Sequence, residues 1–183
     1  MSKLVCIDSQ IFIWGIKQQA IASQKHLIPI ATNFIEWLTE NDHKILLPNP
    51  LITEILSPVP ANEHKKILDL IDKRFIVAPF DNLASMKCAE LTNIALTAPE
   101  LIQYREANSV PKSKIKFDCM IVAIAITKRA ACIYSEDPDL KRFAAGQIQV
   151  LPLPNIGKQG KLFPEEKLKN HGKKEERDED APF

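Results

Sequence analysis

The chain has 183 residues, room for one domain of ordinary size and too few for two comfortable ones. Its 24 basic and 23 acidic residues leave a net charge of +1, and 45% of residues are hydrophobic, so a sizeable core is available. A strongly basic nucleic-acid coat and an acidic tail protein are excluded, whereas a local charged groove is not. The longest apolar run, Cys119 to Ile126, is eight residues, far short of the ~20 of a membrane helix, so no membrane partner is expected. No signal peptide is read at Met1-Ser2-Lys3. Cys6, Cys88, Cys119 and Cys132 form no C-x-x-C pair, and three of them lie in apolar segments. Buried thiols in a reducing, cytoplasmic setting are therefore expected, rather than disulfides or a zinc site.

Along the chain, short apolar strands alternate with helical patterns. Lys3 to Ile7 reads as a strand ending in Asp8; Ser9 to Ala22 and Ile30 to Leu38 read as helices. Lys44 to Leu47 reads as a second strand, followed by a short helix over Leu51 to Leu56 that carries Glu54. Glu63 to Lys73 is amphipathic, with Ile67, Leu70 and Ile71 on one face. Phe75 to Ala78 is a third strand, and Leu83 to Leu96 a helix expected to turn Met86, Leu91 and Ala95 inward. Ser113 to Arg129 is a long helix, Ala131 to Ser135 a fourth strand and Ile148 to Leu151 a fifth. Strands separated by helices imply βαβ units and an α/β fold with helices on both faces of a mostly parallel five-stranded sheet. From Glu165 to Phe183, 12 of 19 residues are charged, which predicts a mobile appendage. The expected division is a domain over 1–155 and a C-terminal extension over 156–183.

Parallel sheets place their sites at the carboxyl ends of the strands. Four acidic positions fall there. Asp8 ends the first strand and is followed by Ser9; on its own it reads equally well as a helix cap. Glu54 is the one acid in its short apolar helix. Asp118 sits in a helical segment, Lys116 to Ile126, that is apolar on nearly all sides, where an ionised carboxylate is costly unless it is paired or metal-bound; Lys114, four residues earlier, is an available partner. The fourth is Ser135-Glu136-Asp137-Pro138-Asp139, whose acids also suit a helix start. Carboxylates converging in one pocket repel one another, and a hard divalent cation, Mg²⁺ or Mn²⁺, relieves that conflict. His26, His43, His64 and His171 stand isolated, which disfavours zinc.

This ordered set, from Leu4 to Leu151, resembles a PIN-domain protein and is similar to VapC-like toxin ribonucleases. The resemblance implies a PIN-like α/β/α sandwich, an acidic pocket for Mg²⁺ or Mn²⁺, and hydrolysis of RNA phosphodiester bonds. Many small members are the toxin of a toxin–antitoxin pair, restrained by a small antitoxin protein. Carried over residue by residue, Asp8, Glu54, Asp118 and Asp137 are the implied catalytic acids, with Asp8, Asp118, Asp137 and Asp139 as metal ligands. Asp137 is preferred over Asp139 as the direct ligand. Ser9 and Ser135 would orient carboxylates, and Lys112, Lys114 and Lys116 would hold substrate phosphates. Leu140 departs from the family's usual aromatic, and Pro138 is a second departure. A homodimer through Phe34 and Trp37 is open, as is a core role for both. The alternative function is a catalytically silent PIN-like module that binds nucleic acid or a partner.

Overall fold

The computed structural model describes residues 2–156. The charged stretch from Glu165 lies outside the described residues, as does all but the first residue of the expected extension. Five strands form one all-parallel sheet: β1 (Leu4–Ile7), β2 (Lys44–Pro48), β3 (Ile76–Ala78), β4 (Ile133–Tyr134) and β5 (Val150–Leu151). Their order is β3-β2-β1-β4-β5, which puts the first strand of the chain at the centre. Cys6 stands opposite Leu46 on one side and Ile133 on the other. Val5, Cys6 and Ile7 are all buried, as are Ile45, Leu46 and Leu47. Successive strand residues point to opposite faces, so both faces of the sheet centre are covered.

The covering helices are α1 (Ser9–Gly15), α2 (Leu27–Glu40), α3 (Asn49–Leu56), α4 (His64–Arg74), α5 (Asn82–Thr97), α6 (Pro99–Ala107), α7 (Lys112–Thr127) and α8 (Pro138–Phe143). None is long and apolar enough to cross a membrane. In α7 the run Ile121 to Ala125 is entirely buried, which explains why this helix is apolar all round. It packs against α5, α8, α3 and β2. The α1–α2 contact is close at Gly15, where a Cβ would lie 2.6 Å from Ile35 Cδ1 and 3.0 Å from the Ala31 backbone.

Several expected boundaries shift. α1 stops at Gly15 instead of reaching Ala22, because Gln18 takes a left-handed backbone (φ 53°) and ends the helical path. α6 is an element that the hydrophobic periodicity did not reveal; Pro99 at its start, preceded by extended Ala98, is its one clear signal. The inward face of α5 is Ala84, Cys88, Leu91 and Ala95. Met86 is a correction: it is 72% exposed, since two residues past Ala84 is about 200° around the helix. All four cysteines are free and buried. Phe34 is fully buried and meets Tyr134 edge-on at 4.6 Å, so it is core and not a dimer contact. Trp37 is half-buried and stands 5.3 Å from the His43 ring.

Candidate active site

The carboxyl edge of the sheet carries a cavity of about 440 Å³ lined by Asp8, Ser9, Gln10, Glu54, Ser113, Lys114, Phe117, Asp118, Ile121 and Asp137. All four sequence-predicted catalytic acids therefore face one space. Each arrives there for a local reason. Asp8 follows β1 directly; its backbone N–H reaches Tyr134 O at 3.1 Å, prolonging the β1–β4 pairing. Its side chain both caps α1, accepting from Ser9 N at 2.7 Å, and accepts from the Ser135 hydroxyl at 2.8 Å. The capping and site readings are thus compatible. Glu54 projects from α3, which starts as β2 ends, and accepts from the Ser9 hydroxyl at 2.7 Å. Ser9 and Ser135 consequently tie Asp8, Glu54 and the chain after β4 together.

In the fourth acidic segment the three acids take different tasks. Glu136 turns away and accepts from Leu153 N at 2.6 Å. Asp137 caps α8 with Oδ1, accepting from Asp139 N at 2.8 Å, while its own N–H donates to Ser135 Oγ at 3.0 Å. Asp139 is buried and accepts from the Tyr104 hydroxyl at 2.6 Å. Tyr104 in turn lies under the Arg142 guanidinium, 3.8 Å from its ring centroid. Tyr104 was not among the sequence candidates, because α6 itself was not read.

Lys114 is the positive centre. Its Nζ lies 2.7 Å from Asp137 Oδ2, 3.1 Å from Asp118 Oδ2 and 3.2 Å from Asp139 Oδ2. Lys112 and Lys116 are exposed and do not line the cavity. Burial alone would lower the Lys114 ammonium pKa, but the hydrogen bond to Asp137 and the charge of Asp118 outweigh it and raise it well above the usual lysine value. Burial pushes Asp118 up to about 7, against the opposing pull of Lys114. Asp8 is also raised, chiefly by burial, with the hydrogen bonds from Ser135 and Ser9 opposing and the Glu54 and Asp137 charges adding. For both acids burial is the leading cause, with neighbouring carboxylate charge adding to it.

Asp118, Asp137 and Asp139 each bring one oxygen within 4.8 Å of the others, the only such ligand group among the described residues. Asp8 and Glu54 line the same cavity but stand outside that set. An all-oxygen, multiply charged pocket fits a hard divalent cation. A wider cleft of about 700 Å³, lined by Lys65, Lys66, Asp69, Lys73 and Arg74 among others, lies elsewhere and has no such group.

Comparison with solved structures identifies the architecture. A chain in the crystal structure of VapBC2 from Rickettsia felis, bound to a DNA fragment from their promoter, matches 82% of this chain and 99% of its own length, with a TM-score of 0.53 and 15% identity. The chain has a VapC-like PIN-domain fold. No family model matches the sequence, and no curated protein does. The likeness is one of fold and agrees with the all-parallel sheet in which β1 is central.

Proposed function

We propose that the chain is a divalent-metal-dependent endoribonuclease that hydrolyses RNA phosphodiester bonds, the toxin of a toxin–antitoxin pair. The observation that carries this reading is the meeting of Asp8, Glu54, Asp118 and Asp137, from four separate segments, around one cavity. The PIN fold and the VapBC2 likeness supply the toxin–antitoxin part, with a small antitoxin protein as partner. The nuclease unit is residues 1–155, acting in the cytoplasm, where the buried free thiols are stable.

In this reading Asp8, Asp118 and Asp137, which line one cavity, would hold Mg²⁺ or Mn²⁺, with Asp139 as support. Bound there, such an ion would supply charge neutralisation at the scissile phosphate and lower the pKa of a nucleophilic water. Ser135 fixes Asp8, and Ser9 fixes Glu54, so that both carboxylates are aimed before substrate arrives. Glu54, exposed at the cavity mouth, accepts a proton from the attacking water. Lys112 and Lys116, exposed on the first turns of α7, meet neighbouring phosphates of the strand. No covalent nucleophile is required.

The silent-module alternative draws on one observation: Lys114 already partners three of the acids. One ammonium against five nearby carboxylates still leaves a deficit that a metal ion would fill. Cleavage of a mixed RNA pool with Mg²⁺, Mn²⁺ or EDTA, beside Asp118→Asn, tests the reading. Metal-dependent cutting lost in the variant supports it. Equal cutting by both proteins removes the assigned site, and no cutting with any metal by folded protein favours the silent module.

A further inference from the structure

We propose that Lys114 is a tethered counter-ion that stands in the place of the divalent cation and must swing out when the metal enters. This inference rests on the metal-site reading above and concerns how that site is kept and filled.

The argument is one of shared atoms. Asp137 commits Oδ1 to the Asp139 amide, and Asp139 commits Oδ1 to the Tyr104 hydroxyl. In each, the oxygen that remains is Oδ2, and Lys114 Nζ sits on both at 2.7 and 3.2 Å. It also takes Asp118 Oδ2 at 3.1 Å. A cation entering this acid group would need the oxygens that the ammonium already holds. The two cannot share them without bringing like charges into contact in a part-buried space.

The side chain is built for such an exchange. Lys114 is on the same helix as Asp118, one turn earlier, so it cannot leave the site altogether. It is 35% exposed, and its flexible stem can carry the ammonium to the rim. While it is in place, the acids are partly neutralised and the pocket stays assembled before any metal arrives. The cost is a lower apparent metal affinity, because every binding event must first displace the ammonium.

Titration calorimetry with Mn²⁺ on the full chain and on Lys114→Met, which keeps the stem and removes the charge, tests this. The variant is expected to bind Mn²⁺ about tenfold tighter or more, and to melt lower than wild type in EDTA, with Mn²⁺ restoring it. Equal or weaker binding by the folded variant overturns the counter-ion role and leaves the metal reading intact. Absence of Mn²⁺ binding in both proteins overturns the metal reading and the counter-ion role with it. A second measurement needs no variant. Amine acylation of wild type, read by peptide mass spectrometry, is expected to rise several-fold at Lys114 when Mn²⁺ is added, while exposed Lys112 and Lys116 serve as internal references. Unchanged or reduced labelling at Lys114 overturns the proposal.

Discussion

Ser135 donates its hydroxyl hydrogen to Asp8 Oδ2 at 2.8 Å, joining residues 127 positions apart in the sequence. Ser135 Oγ itself accepts from Asp137 N at 3.0 Å. One small side chain therefore sets the direction of an acid just past β1 and the path of the chain that carries another. Ser135→Ala should lower Mn²⁺ affinity about 10–100-fold and cost about 1–2 kcal/mol of stability, since it strips a buried carboxylate of a donor. Calorimetry and urea denaturation would measure the two effects. Unchanged metal affinity would show that Asp8 needs no such orientation.

Asp118→Asn should reduce RNA cleavage to background without destabilising the metal-free protein. The amide keeps the shape, and it removes a charge that burial disfavours. Thermal melts in EDTA should give a midpoint equal to or above that of wild type. A lower midpoint would mean that the ion pair with Lys114 stabilises the fold more than burial of Asp118 costs.

The metal-free protein should lose stability as pH rises from about 4 towards about 7. An acid whose folded pKa exceeds its unfolded value binds more protons in the folded state, so folding is favoured at low pH and less favoured as pH climbs. Asp118 is raised from 3.8 to about 7, and Asp8 moves in the same direction. Urea denaturation at pH 5 and pH 8 in EDTA should show the drop, while Asp118→Asn should flatten it and saturating Mn²⁺ should reverse it. Acid denaturation of other carboxylates bounds the window from below.

Gly15→Ala should destabilise by about 1–3 kcal/mol, the usual cost of overpacking. The new Cβ would meet Ile35 Cδ1 at 2.6 Å and Ala31 backbone at 3.0 Å. Adding Ile35→Val removes the first contact but not the second, so it should rescue only part of the loss. A fully neutral Gly15→Ala in thermal melts would mean that α1 and α2 can separate at little cost.

Much of this was legible because strand, turn and acid are neighbours in sequence. Asp8, Glu54 and Ser135 each sit within a few residues of a strand end, so the parallel sheet alone brings them to one edge. Asp118 was legible for the opposite reason, as a charge in a helix with no polar face. Tyr104 was not, because α6 has no strong apolar stripe and its hydroxyl partner is 35 residues away. Met86 faces outward despite its apolar side chain, because its angular position relative to Ala84 and Cys88 decides its burial. Lys112 and Lys116 share a run with Lys114, yet a spacing of two residues sends them to other sides of α7.

The central place of β1 has a consequence for synthesis of the chain. β1 is made first and can pair with β2 as soon as Lys44–Pro48 emerges, but its other edge waits for Ile133–Tyr134. Until then Val5, Cys6 and Ile7 present an open, apolar strand edge, the kind of surface on which nascent chains aggregate or recruit chaperones. A product ending between α7 and β4 would carry Asp8, Glu54 and Asp118 without Ser135 or Asp137. The acid pocket is thus completed by nearly the last part of the sheet to be translated, and a truncated copy of the protein would be an incomplete one.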